Sequence, residues 1–235
     1  MRYLYIAALL ASTSAFAANA GGLATPVIEP VVAPVVVVQP AAAPTTWQGG
    51  YLGLNASYGD SSLDAVDPYA SALSSAGLGK SIAELDGGNY AVRGGFDWQS
   101  NSWIFGIGAE YNFGEYKGNL TDAFATAAGI NADVELNSVT TAFFRAGYTF
   151  NANTALYGLL GYTWATGEAT VSGVTESEDF EGVTYGIGLE HKFSSNWSVY
   201  GEYAYTDLGE LSDPTIGDLA EVDLGQIKIG VNFRF

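Results

Sequence analysis

The chain has 235 residues, 48% of them hydrophobic and only 14% charged, well below the roughly 25% charged of an ordinary soluble domain. Cysteine is absent and histidine occurs once, at His191, which excludes a disulfide framework and any cysteine-ligated metal. A net charge of −17 with eight Lys and Arg in all excludes nucleic acid as a partner, because phosphate binding needs clustered cations.

Residues 1–20 open with Arg2, continue through the apolar run LYIAALLASTSAFA, and end in small residues. A membrane span needs about 20 apolar residues, so this shorter run reads as an export signal. Two A-x-A sites compete, at Ala15–Ala17 and Ala18–Ala20, and cleavage after Ala20 is preferred. Residues 21–46 hold five of the seven prolines, Pro26, Pro30, Pro34, Pro40 and Pro44. Proline at that density excludes helix and central strand and predicts an extended spacer. The apolar run Val35–Val38 is unusual for a solvated spacer, which leaves open an arm that touches peptidoglycan or a periplasmic partner.

From Trp47 to Phe235 the hydrophobicity alternates with period two. In WIFGIGAEYNF, residues 103, 105, 107, 109, 111 and 113 are apolar on one face, while Gly106, Gly108, Glu110 and Asn112 occupy the other. Eight such strands are predicted near 48–58, 88–98, 103–114, 139–150, 154–166, 182–193, 197–207 and 223–235. Connections at 99–102, 151–153 and 194–196 are short; those at 59–87, 115–138, 167–181 and 208–222 are long. Short and long alternate strictly, so each kind gathers at one end of the sheet. An even number of strands of about ten residues, with short turns at one end and long loops at the other, is the pattern of a membrane-spanning barrel. The fold class expected is therefore all-β: an eight-stranded antiparallel up-and-down transmembrane β-barrel over 47–235.

Charge placement supports that reading independently. Arg93, Asp97, Glu110, Arg145, Glu190, Lys192, Glu202, Lys228 and Arg234 all fall on the less apolar, inward face. None falls on the outward face, where a cation at the bilayer midplane would cost about 2–4 kcal/mol. The nine are expected to form a network filling a narrow lumen. By strand order, the expected partners are Arg93 with Glu110, Glu110 with Arg145, and Glu202 with Lys228; Asp97, Lys192 and Arg234 would form a smaller set at the turn end. Inward glycines, including Gly53, Gly95, Gly106, Gly108, Gly147, Gly161, Gly186 and Gly188, would leave room for water and keep a pore reading open. Aromatics sort into two bands, Trp98, Trp103, Phe150, Phe193, Trp197 and Phe235 near the turns and Tyr58, Tyr90, Tyr111, Phe113, Trp164, Tyr185 and Tyr205 toward the loops, as at two membrane interfaces.

The segments WQGGYLGLNASYG, LYGLLGYTW, WSVYGEYAYTDLG and GQIKIGVNFRF carry a resemblance over residues 47–235 to the small eight-stranded outer-membrane proteins of the OmpA transmembrane-domain and opacity-protein type. The resemblance implies an integral protein of the outer membrane of a Gram-negative bacterium, with a periplasmic N-terminus and lipids and lipopolysaccharide around it. It also implies that Ile229, Val231, Phe233 and Phe235, together with Ile227, resemble the signal read by the barrel-insertion machinery. The chain stops at the last strand, without a peptidoglycan-binding domain, so any wall contact is expected of the spacer.

Enzymatic alternatives fare poorly. A serine hydrolase needs nucleophile, base and orienting acid within reach of one another. Here the sole base, His191, precedes Ser194 and Ser195, but it falls on the outward face and Glu202 on the inward one. The near-copies FGIGAEYNF (105–113) and YGIGLEHKF (185–193) have no helix after their glycines and so do not read as nucleotide loops. The acidic loops lack the spacing of a calcium-binding hand, and no metal or cofactor is expected. In loop 59–87, the run DPYASALSSAGLGKSIAEL predicts a short helix. The expected role is structural and surface-interacting in the envelope, with the lumen plugged by charged side chains; the alternatives are a small diffusion channel and, behind it, a lipid-modifying enzyme.

Overall fold

A computed structural model describes residues 46–213 and 217–235. The expectations for the export signal, and for all but the last residue of the spacer, lie outside these residues. Among the described residues nine strands form: β1 Gly49–Ala65, β2 Ser81–Ser100, β3 Trp103–Phe113, β4 Tyr116–Leu120, β5 Ala132–Thr149, β6 Thr154–Val171, β7 Val174–Lys192, β8 Trp197–Asp213 and β9 Gly217–Arg234. Neighbours pair antiparallel, and β1 pairs with both β2 and β9, which closes the sheet into a ring. β3 and β4 lie end to end between β2 and β5, so the ring has eight staves and the fold is an eight-stranded barrel. The break falls at Gly114, whose φ of 137° is open only to glycine and whose absent Cβ would lie 1.9 Å from the Asn89 side-chain oxygen.

The long connections are mostly strand. The predicted loop 167–181 is a continuation of β6 and β7 to a two-residue turn, Ser172-Gly173, with φ of 51° and 82°. Positive φ at both central residues matches the right-handed twist of the flanking strands. The helix expected in 59–87 is α1, Tyr69–Ser75, where the Asp67 carboxylate accepts bonds from the Ser71 N–H (3.1 Å) and hydroxyl (2.6 Å). A second helix, α2 (Asp122–Ala128), ends at Gly129 in the left-handed region and was not foreseen.

Strand alternation persists from one end of the barrel to the other, but the polarity of its faces inverts. Near the short turns the outside is apolar, with Leu54, Ile107, Phe144, Leu160, Ile187 and Ile229 exposed, and the inside is polar. Bands of exposed aromatics border this region, Trp98, Trp103, Phe150, Phe193, Trp197 and Phe235 on the turn side and Tyr58, Tyr90, Phe113, Trp164 and Tyr185 on the other. Beyond the second band the same inward positions become apolar: Leu85, Tyr116, Leu136, Val139, Leu208, Val222 and Leu224 pack into a buried core. The outward positions there carry exposed acids such as Glu84, Asp86, Asp133 and Asp179. On β2 the inward set runs Asp97, Arg93, Asn89, Leu85, Ala83 without a change of parity. A sheet that passes from an apolar solvent into water must exchange what it puts on its two faces, and each leucine buried in the upper part stabilises it by about 1.5–3 kcal/mol.

Candidate functional site

Within the apolar band the lumen is filled by two sets of charges. In the first, Arg93 donates to both Glu202 oxygens (3.0 and 2.9 Å) and through Nε to Glu110 (2.8 Å). Lys228 Nζ reaches Glu110 at 2.5 Å and Glu202 at 3.8 Å. Register explains half of these contacts: Arg93 lies opposite Glu110 and Glu202 opposite Lys228 on adjacent strands. The Arg93–Glu202 pair spans the lumen between β2 and β8. Asn55 Nδ2 donates to Glu110 (2.9 Å), and the Tyr157 hydroxyl donates to Glu202 (2.8 Å).

The second set lies toward the turns. Arg145 donates through Nε to Asp97 (2.8 Å), pairs with it again through Nη2, and reaches Glu190 through Nη1 (3.0 Å). Arg234 binds the same two carboxylates at 2.5 and 3.2 Å. Ser198 Oγ (2.5 Å) and Asn232 Nδ2 (3.0 Å) complete the shell of Glu190. Arg145 therefore pairs with Asp97 and Glu190 and not with Glu110, as strand order alone suggested. The register places Gly106 opposite Arg145, whereas Glu110 faces Thr141, four residues along β5. Asp97 and Arg234 likewise belong with Arg145 and Glu190 rather than to a separate group. Lys192 stands outside both sets: its ammonium donates to the Thr46 carbonyl and lies 4.4 Å from the centre of the Trp47 ring.

Aromatic side chains occupy the rest of this space, and sequence reasoning missed them. The Arg93 guanidinium lies 4.5 Å from the Tyr200 ring and 5.3 Å from Phe143, and that of Arg145 lies 4.6 Å from Tyr51 and 5.1 Å from Tyr157. Several of the inward glycines lie against aromatic rings. A Cβ on Gly188 would fall 2.3 Å from the Tyr157 ring, and one on Gly95 2.6 Å from the Tyr51 hydroxyl, so these two glycines seat the rings, whereas Gly53 and Gly106 face the Asn232 and Asp97 side chains. Trp47 lies at the turn end: its side chain is buried, its backbone N–H donates to Gln99 Oε1 (2.7 Å), and its backbone carbonyl accepts from Arg234 (2.8 Å). The inward parity of Tyr51, Phe143, Tyr157 and Tyr200 was the available signal.

Toward the hairpins, the hydroxyls of Thr141, Thr163, Thr184 and Thr206 run in a chain across four strands at 2.7, 2.5 and 2.8 Å. Gln226 Nε2 donates to the Tyr116 hydroxyl (2.6 Å) at about the same depth. Above lies the apolar core, and within it a cavity of about 510 Å³ walled by Leu63, Leu85, Val134, Leu136, Phe180 and Val222, with Glu135, Glu168, Glu176 and Glu178 around it. The loop lysines are engaged elsewhere. Lys117 bonds Glu115 (2.6 Å) and Glu135 (2.9 Å), and Lys80 bonds Asp64 (2.8 Å); these bonds hold both ammonium groups above the usual lysine range.

The hydrolase constellation is not assembled. His191 is exposed on the outside with Nδ1 2.9 Å from the Thr154 hydroxyl, whereas Glu202 is inside on Arg93, and Ser194 Oγ accepts from the Trp197 N–H (3.0 Å) in the turn. Ile229, Val231, Phe233 and Phe235 all face outward, and the Phe235 N–H donates to the Gly50 carbonyl (3.0 Å).

A family model described as outer membrane protein beta-barrel domain matches residues 31–235. The 31 kDa outer-membrane immunogenic protein of Brucella melitensis is 26% identical over 229 residues, covering 87% of this chain and 93% of that protein. Among solved structures, the outer membrane protein OprG of Pseudomonas aeruginosa matches with a TM-score of 0.51 at 13% identity, covering 80% of this chain and 96% of the other. Ail, the attachment invasion locus protein of Yersinia pestis, matches at 0.46 and 19% identity, covering 80% and 99%.

Proposed function

The chain belongs to the outer membrane protein beta-barrel domain family, and from that premise we propose an outer-membrane barrel that is closed by its own side chains and acts as a structural and surface-interacting element of the envelope. The observation that carries this reading is the lumen filling. Arg93, Lys228, Glu110 and Glu202 balance one another, as do Arg145, Arg234, Asp97 and Glu190, and the rings of Tyr51, Phe143, Tyr157 and Tyr200 pack between them. A solute crossing this level would have to separate buried, paired charges, and removing one partner of such a pair costs about 3–5 kcal/mol.

In this reading the short turns and the N-terminus are periplasmic and the tall hairpins extracellular, following the asymmetry general to such barrels. Residues 1–20 serve as the export signal and 21–46 as a spacer that is free to contact peptidoglycan or a periplasmic protein. The outward aromatic bands would meet lipid and lipopolysaccharide, and the outward last-strand residues ending at Phe235 would be read by the insertion machinery. Catalysis has no part in it.

Deleting the chain from its cell separates this reading from the small-channel alternative. A plugged structural barrel predicts unchanged or increased uptake of small hydrophilic solutes, with greater sensitivity to detergent. Uptake that falls on deletion and returns with the wild-type chain would favour the channel.

A further inference from the structure

We infer that the cavity among the hairpins is a binding site for a small amphipathic cation, a compact apolar body carrying one ammonium-type head. This goes beyond the closed-barrel reading and does not depend on it, because the cavity lies on the hairpin side of the threonine chain and of both charge sets.

The apolar part of the argument is the wall. Leu63, Leu85, Val134, Leu136, Phe180 and Val222 form the apolar wall of an open cavity of about 510 Å³, within the range of small-molecule pockets, with Ser61, Ser62 and the glutamates completing its lining. A ligand with an apolar body gains by covering this wall, since burying apolar surface is favourable. The Phe180 ring is seated by Gly167, where a Cβ would come within 2.6 Å of it, so this wall has a fixed aromatic surface.

The choice of head group comes from charge. Glu176, Glu178 and Phe180 alternate along β7 and so share one face of the β6–β7 hairpin, with both carboxylates exposed above the apolar wall. Glu168 accepts from Asn137 Nδ2 (3.1 Å) and Glu135 is already paired with Lys117. Five of the chain's eight cations are in the lumen and Arg2 lies outside the described residues. That leaves Lys80 and Lys117 at this end, neither bonded to Glu176 or Glu178: Lys80 is on Asp64, and Lys117 is on Glu115 and Glu135. A fatty acid or other hydrophobic anion would meet uncompensated carboxylates, whereas an ammonium would be drawn to Glu176 and Glu178 and could also lie against the Phe180 ring.

Three probes with one body and different heads test this: 1-adamantanamine, 1-adamantanol and 1-adamantanecarboxylate, titrated calorimetrically into the refolded chain in lipid nanodiscs, with empty nanodiscs as blank. The amine should bind tightest and the carboxylate about tenfold or more weaker, a difference of about 1.4 kcal/mol per tenfold. The double variant Glu176→Gln, Glu178→Gln, at two exposed positions with no packing role, should bring the amine down to the alcohol and leave the alcohol unchanged. Leu136→Trp, which fills the cavity, should abolish amine and alcohol binding while the folded band in gel electrophoresis persists. Amine binding no stronger than to empty nanodiscs, carboxylate binding equal to or tighter than amine, or amine binding unaffected by the glutamine pair would each overturn the inference.

Discussion

Replacing Arg93 with methionine is expected to destabilise the folded barrel by about 3–5 kcal/mol, the cost of breaking a buried ion pair from one side. The substitution keeps most of the side-chain length but leaves Glu110 and Glu202 sharing Lys228, which lies 2.5 Å from one and 3.8 Å from the other. Tyr157 and Asn55 still donate to the two carboxylates, but neither supplies charge. The double variant Arg93→Met, Glu202→Gln removes one charge of each sign and leaves Glu110 on Lys228, so it should recover a large part of the loss. Urea titration in lipid vesicles, read by the electrophoretic mobility of the folded form, gives both numbers. A double variant no more stable than the single one would show that the lumen is not organised by charge pairing.

The inversion of polarity along the strands predicts a second large effect. Leu160 is exposed on β6, flanked across the sheet by Phe144 and Tyr185, within the apolar band. Leu160→Arg places a cation in the hydrocarbon and should cost about 2–4 kcal/mol. Ser177 is also exposed and also on the β6–β7 hairpin, but beyond the aromatic band, where Ser177→Arg should lie within about 0.5 kcal/mol of wild type. The same titration measures both. Equal costs at the two positions would mean that the exposed leucines do not face lipid.

The residues that read clearly from sequence are those where alternation and solvent agree. Across the apolar band each strand carries apolar residues outward and charge or glycine inward, so eight staves and their short turns could be placed from period two alone. Where the hairpins rise into water, the outward residues turn acidic and the inward ones turn to leucine and valine. A reading tuned to outward hydrophobicity therefore stops near Tyr58, Tyr90 and Trp164, although the strands continue to Ala65, Ser81 and Val171. The cavity is hidden for the same reason: Leu85, Val134, Leu136, Phe180 and Val222 lie in the long connections, beyond the outward apolar alternation. The nine inward charges were legible as a set because lipid excludes them, but their partners were not. Strand order gives neighbours along the wall, whereas Arg93–Glu202 crosses the lumen and Arg145 is carried away from Glu110 by register. The aromatic rings are hidden behind glycine: at Gly95 and Gly188 the missing side chain seats the rings of Tyr51 and Tyr157, which composition alone does not reveal.

Single-channel recording of the refolded chain, residues 21–235, in a planar bilayer tests the closed lumen most directly. With both charge sets paired, the rings between them and Trp47 across the turn end, the wild-type chain should be electrically silent, and Arg93→Ala with Arg145→Ala should introduce current. Steady conductance from the wild type, altered in size or selectivity by the same pair of substitutions, would make the charged level a pore lining and contradict the account.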